Sequence, residues 1–326
     1  MFSANGKAGF GIPLAKGRHV ILMESNQELT ITHPGVALIF EGGAMRAAYT
    51  SSVVETLLDA NVIFPKAYGT SAGAMLAACY VSRNPLRAKA TFVDSVNVKG
   101  SGGIHSFLKG TGFFNTQLIF EGLSEENAID ENEWTFDFPT FKASPVEFHV
   151  EAFDRDSGET KAWEKSDMHT MTDVMLRMQA SCAYPLFVDP AEIDGRFYVD
   201  GGMGTNHDIC IDAAMRDGFE RFFVVCSQPK GYRMPNLSER KKLTYKAVYA
   251  KYPKLYEAIL ERPALYNKLL DRLDKLEDQG AAYVFRPDEM PISYDTTNYK
   301  KLEAAYEQGL AQCKRDLPKW LDWLNK

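Results

Sequence analysis

Residues Gly69-Thr70-Ser71-Ala72-Gly73 form a G-x-S-x-G pentapeptide between an apolar approach, Val62-Ile63-Phe64-Pro65-Lys66-Ala67-Tyr68, and an alanine-rich stretch from Ala74 to Val81. That context predicts a strand, a sharp turn and a helix. A serine on such a turn is held in a strained backbone conformation that pushes its hydroxyl out of the sheet, and the flanking glycines are needed because a Cβ there meets neighbouring elements. The expectation is an exposed nucleophile, Ser71, at a helix N-terminus; the plain alternative is a tight turn.

Upstream, Val36-Ala37-Leu38-Ile39-Phe40 reads as a buried strand, and Glu41-Gly42-Gly43-Ala44-Met45-Arg46 turns into a second helix running to about Asp59. Paired glycines leave backbone amides bare at a helix N-terminus, where they and the helix dipole favour an anion or the developing oxyanion of acyl transfer. Gly42 and Gly43 are therefore the first candidates for an oxyanion hole. A phosphate loop is disfavoured, because the chain has neither a Walker ending nor G-x-G-x-x-G.

A serine nucleophile needs a base. In an α/β-hydrolase the base is a histidine late in the domain, but the six histidines here (19, 33, 105, 149, 169 and 207) leave the last 119 residues without one. The alternative is direct activation by a carboxylate. Asp200 is the best placed: it ends the short strand Arg196-Phe197-Tyr198-Val199 and precedes Gly201-Gly202, which lets it approach another turn closely. Two other readings stand beside it, Asp200 as a turn or capping residue and His207 as base with Asp200 or Asp208 as its orienting partner.

Together the glycine-rich loop, G-x-S-x-G and D-G-G resemble the patatin-like phospholipase family, in the right order and spacing from Glu41 through Ser71 to Asp200. Ala180-Ser181-Cys182-Ala183-Tyr184-Pro185 is similar to the family's A-S-x-A-x-P segment, and Arg262-Pro263-Ala264-Leu265-Tyr266-Asn267 is reminiscent of its bacterial members. The resemblance covers about residues 35 to 230. It implies a Ser71–Asp200 dyad in a three-layer α/β/α sandwich with a mostly parallel sheet, hydrolysing fatty-acyl esters of phospholipids or lysophospholipids. The chain departs from the family's usual D-G-G-G-x-R/K-G loop: Glu41 replaces the aspartate, and Ala44 and Ala47 stand at glycine positions. Ala44 is thus a third, less favoured oxyanion donor. Arg46 keeps the basic position, where it stabilises the loop or meets a lipid phosphate; the plain alternative is a surface arginine in a first helical turn. These departures motivate a second reading, a non-catalytic lipid-binding or regulatory protein on the same fold. Intact Ser71 and Asp200 argue for catalysis. With backbone amides meeting the oxyanion and a carboxylate as base, no metal or other cofactor is expected.

Composition suits a soluble enzyme of 326 residues, 45% hydrophobic and 25% charged. No apolar run approaches the ~20 residues of a membrane span and no secretory signal is legible, so the expected compartment is cytoplasmic, with peripheral membrane contact. Five cysteines without paired spacing read as reduced thiols. Strands are expected at 36–40, 63–69, 146–153, 196–200, 221–227 and 282–286, and helices at 45–59, 72–83, 171–182 and 209–217. Residues 1–34 read as an N-terminal extension, 35–230 as the catalytic domain and 231–326 as a mainly helical C-terminal region. Glycine- and aromatic-rich 97–144 breaks the rhythm as a lid or a packed insertion. Residues 230–275 carry twelve Lys/Arg against five Asp/Glu in a chain of net charge −6. Their interleaved tyrosines and the stripe Leu265, Leu269, Leu273 and Leu276 fit either an interface with anionic lipid or a packed helical hairpin with a solvated basic face. Nucleic-acid binding is disfavoured by the net charge and the absence of a recognised module.

Overall fold

The structure, a computed structural model, describes residues 30–97 and 136–326. Most of the expected N-terminal extension and of the 97–144 insertion lies outside the described residues.

The first strand, β1 (Val36–Phe40), has all five side chains buried, as a central strand covered on both faces requires. After a single 3-10 turn at Ala44–Arg46 come α1 (Ala47–Asp59), β2 (Lys66–Thr70), α2 (Ala72–Val81) and α3 (Pro85–Phe92). Beyond the undescribed stretch follow α4 (Phe138–Ala143), β3 (Glu147–Asp154), β4 (Thr160–Glu164), α5 (Met171–Cys182), β5 (Ala191–Ile193), β6 (Arg196–Asp200), α6 (Ile211–Arg216) and β7 (Arg221–Val225). The chain ends with α7 (Glu239–Val248), α8 (Pro253–Asp278), β8 (Ala282–Phe285) and α9 (Tyr299–Leu324). Helix starts follow local chemistry. Asn84 caps α3 ahead of Pro85, Thr170 and Asp173 form a capping box on α5, and the Asn298 side chain caps α9.

The strands form one mixed sheet in the order β5-β6-β3-β2-β1-β7-β8, with β4 on β3. Strands β3, β2, β1, β7 and β8 run parallel, while β4, β6 and β5 add antiparallel pairings at one side. The expected mostly parallel sheet is thus a parallel core with an antiparallel flank. Strands β4 and β5 and helices α3 and α4 do not figure in the sequence pattern; β5 has three residues, and β4 buries only Trp163. Such short, half-exposed segments carry little periodicity.

The alternation along β1 separates the two cores. Val36, Leu38 and Phe40 face a cluster with α1, α2, α5 and α9, whereas Ala37 and Ile39 face one with α6 and α8. Residues 231–326 therefore supply β8 and a helix to each face. Leu269 and Leu273 are buried in the second core and Leu276 is partly buried against it, so that part of the leucine stripe packs inside.

One feature of the register positions the site. Residues Glu147 to Glu151 of β3 pair with β2, and Ala152 to Asp154 pair with β6. Strand β4 pairs with His149 to Phe153 and so occupies the opposite edge. Strands β2 and β6 therefore share one edge of β3, meeting end to end: Thr70 pairs with Glu151 and Asp200 with the next residue, Ala152.

Candidate active site

Ser71 follows the last residue of β2 and stands at the N-terminus of α2, with φ 54 and ψ −130 and its hydroxyl unused as a helix cap. This is the strained turn that the pentapeptide predicts. A Cβ on Gly73 would lie 2.2 Å from the Phe40 carbonyl oxygen, and one on Gly69 2.4 Å from that of Gly73, so both positions exclude side chains. The Ser71 amide donates to Ser181 Oγ at 2.8 Å, which gives the serine of the A-S-x-A-x-P segment a role in holding the turn. Ser71 is only 9% exposed; it lines a cavity and does not stand free on the outer surface as the pentapeptide suggested.

Asp200 lines the same cavity and is 1% exposed. Its Oδ1 accepts the Gly202 amide at 2.8 Å. Its Oδ2 is buried without a partner of normal hydrogen-bond geometry. The Ser71 hydroxyl is near enough to lower the carboxyl pKa but does not close a regular bond with it; bonds of this kind commonly tighten only with substrate in place. Burial and the negative charge of Asp208 outweigh Ser71, the Gly202 amide and Arg262, and push the Asp200 pKa up to about 7. A carboxyl so poised is a far better base than an ordinary aspartate near ~3.9.

The oxyanion loop differs from the sequence expectation. The Gly42 amide donates to the Asp208 carbonyl at 3.1 Å, and Gly42 does not line the cavity. Gly42 is required for close approach instead, since a Cβ there would lie 3.1 Å from Ser71 Cβ and 2.7 Å from Asp208 Oδ1. Gly43 and Ala44 do line the cavity, and among the described residues neither amide has a partner. Gly43 and Ala44 thus have unpartnered amides at the cavity, and Gly42 does not. Ala44 has φ 48, which accounts for glycine being usual at its position in the family. Arg46 lines the cavity, and its Nε donates to Ser227 Oγ at 3.4 Å, while Ser227 Oγ donates to the Gly42 carbonyl at 3.1 Å.

His207 does not line the cavity, and burial lowers its pKa. The buried Nδ1 of His207 has no hydrogen-bond partner among the described residues, and the Asp208 carboxylate bonds Arg262 Nη2 instead. His149, Glu151 and Cys210 converge closely enough to suggest a metal site. Both ring nitrogens of His149 are nevertheless engaged, by Glu164 at 2.7 Å and Glu151 at 3.0 Å, and Asn206 Nδ2 donates to both Glu151 oxygens. The cluster is thus held by hydrogen bonds among its own residues and their neighbours.

The cavity holds about 800 Å³. Met45, Met75, Phe92, Phe187, Leu237 and Ile259 supply apolar wall, and the exposed Arg240 and Lys241 add positive charge. An apolar chamber beside a serine and a near-neutral carboxyl can hold an acyl chain and cut its ester.

The five cysteines are free thiols, and no helix of the described residues is long and apolar enough to cross a membrane. No curated protein sequence matches the chain. Among solved structures, VipD from Legionella pneumophila is similar at a TM-score of 0.49 and 12% identity, covering 88% of this chain and 67% of that one. Residues 252–325 match the family model Domain of unknown function (DUF6363). Residues 38–213, more than half of the chain and the segment that carries both Ser71 and Asp200, match the model Patatin-like phospholipase, and the chain belongs to that family of lipid acyl hydrolases.

Proposed function

We propose that this protein is a serine hydrolase cleaving fatty-acyl esters of phospholipids or lysophospholipids through a Ser71–Asp200 dyad. The observation that carries the reading is the end-to-end meeting of β2 and β6 on β3, with Ser71 and Asp200 in one apolar cavity. Asp200 accepts the Ser71 proton as Oγ attacks the ester carbonyl, and the Gly43 and Ala44 amides meet the charge on the carbonyl oxygen. Asp200 then returns the proton to the leaving alcohol. Water, activated by the same carboxylate, hydrolyses the acyl-enzyme and regenerates Ser71. We assign catalysis to residues 35–230 and treat 231–326 as a second region built onto the same sheet.

The test is fatty-acid release from phospholipid and lysophospholipid, with fluorophosphonate labelling of Ser71, as pH is varied. Because the base works only when ionised, kcat/KM should rise with an apparent pKa near the value of about 7 that burial and Asp208 impose on Asp200. A flat profile from pH 5 to 8 argues against Asp200 as base. No labelling at any pH favours the non-catalytic lipid-binding reading.

We also propose that α7 meets the membrane. Tyr245 is its one buried residue; it carries four Lys/Arg against Glu239, and Leu243 and Val248 are 67% and 52% exposed. Leu237, Arg240, Lys241 and Thr244 line the cavity, so this surface adjoins its entrance. Basic residues around exposed leucine and valine suit an anionic bilayer. The expected result is stronger cosedimentation with phosphatidylglycerol-containing vesicles than with phosphatidylcholine alone. The double variant Leu243→Glu/Lys246→Glu should bind roughly tenfold more weakly, with turnover of a soluble monomeric ester unchanged. Equal binding to both vesicle types argues against this surface.

A further inference from the structure

The segment Arg262-Pro263-Ala264-Leu265-Tyr266-Asn267 lies outside the residues matched by the patatin-like model, on α8, and inside the C-terminal region whose family model carries no function. Its polar side chains all reach the loops around the candidate dyad.

Arg262 Nη2 donates to Asp208 Oδ2, and its Nε donates to the Gly202 carbonyl at 3.1 Å. The pair is largely enclosed, with side chains 16% and 6% exposed. Asp208 is itself a junction. Its carbonyl accepts the Gly42 amide, and its Oδ1 lies where a Cβ on either Gly42 or Gly202 would collide, at 2.7 and 2.3 Å. One turn along α8, the Tyr266 hydroxyl donates to Glu41 Oε1, and the other Glu41 oxygen accepts the Ser227 amide at 2.5 Å. Glu41 is 3% exposed and opens the oxyanion loop. Asn267 next holds the main chain of Met234, a cavity-lining residue, in both directions: its Oδ1 accepts the Met234 amide at 2.8 Å and its Nδ2 donates to the Met234 carbonyl at 3.0 Å. Residues four apart on a helix share a face, so Arg262 and Tyr266 act from one rigid element on two loops far apart in sequence.

We infer that Arg262 and Tyr266, with Asn267, are positioning residues that fix the Asp200-Gly201-Gly202 loop against the Glu41-Gly42-Gly43 loop, and that α8 is thereby part of the hydrolytic site. The inference rests on the dyad reading. Arg262 is also suited to tune the base. The titratable groups acting on Asp200 include Asp208, Arg262, Cys182 and Tyr184, and burial keeps the last two neutral near pH 7. Arg262 opposes the Asp208 charge, so its removal should raise the Asp200 pKa further.

The experiment is the pH dependence of fluorophosphonate labelling at Ser71 for the full-length wild type, Arg262→Gln, Arg262→Lys and Tyr266→Phe, with rates normalised to the folded fraction from thermal melts. Arg262→Gln is expected to move the acidic limb alkaline by about one pH unit, an approximately tenfold slower labelling at pH 6. Arg262→Lys keeps the charge but not the fork, so its limb stays near that of the wild type while the rate falls. Tyr266→Phe should slow labelling about tenfold through loop misplacement, with the limb unmoved. If wild type is not labelled at all, the dyad reading fails and the brace with it. If wild type is labelled and Arg262→Gln keeps the wild-type limb and rate, the brace alone is overturned. Should Arg262→Gln not fold, Tyr266→Phe decides, and labelling at the wild-type rate overturns the inference.

Discussion

Ser71→Ala should abolish ester hydrolysis, a loss on the order of 10⁴-fold or more, because the proposed acyl-enzyme forms on its hydroxyl. The fold should survive. The substitution removes one oxygen that caps no helix, and the hydrogen bond to Ser181 Oγ is donated by the residue-71 main-chain N–H, which alanine retains. The strained φ of 54 is imposed by the surrounding glycine contacts and is shared by the variant. Release of nitrophenol from a soluble ester at the wild-type rate would show that the nucleophile lies elsewhere. Fluorophosphonate labelling that persists in the variant would carry the same message.

Asp200→Asn should cost about two or more orders of magnitude in turnover, the usual contribution of a general base. It should also leave a signature in stability that a merely misfolded variant lacks. The Asp200 pKa is raised in the folded protein to about 7, chiefly by burial, above the ordinary carboxylate value near ~3.9. Folding therefore takes up a proton between these two values. Wild-type stability from this group is fully present at low pH and is lost as pH rises across that window. Asparagine does not titrate, so the variant should melt higher than wild type at pH 8, and the difference should fade toward pH 4. A variant that loses activity and melts lower at both pH values would point to a structural role for Asp200. If His207→Ala proved as damaging while Asp200→Asn stayed active, a histidine base would replace the dyad.

Legibility followed distance along the chain. The strand–turn–helix around Ser71 was readable because its causes lie within a dozen residues: an apolar approach, glycines two positions either side of the serine, and a helix-forming run beyond. Strand β1 was equally plain, five apolar residues that burial on both faces requires. The basic region was half legible. Tyr266, Leu269 and Leu273 of α8 pack into a core, while α7 is basic and exposed, the surface proposed above to meet the membrane. The hexapeptide on α8 stood out as a pattern without a role, since its partners Glu41, Gly202, Asp208 and Met234 are remote in sequence.

Read alone, the chain identifies Ser71 as the candidate nucleophile and, by its lack of a late histidine, directs attention to an aspartate. Both follow from residue type and local sterics, which travel with the sequence. The tertiary structure decides what depends on register and burial. Because β2 and β6 share one edge of β3, Thr70 and Asp200 pair with adjacent residues, and Ser71 and Asp200 enter one cavity. Because the Asp208 carbonyl takes the Gly42 amide, the loop amides left without a partner at the cavity are those of Gly43 and Ala44, the donors proposed above. Burial beside Asp208 lifts Asp200 into the range of a useful base, since a charge held away from water and near its like is held less readily.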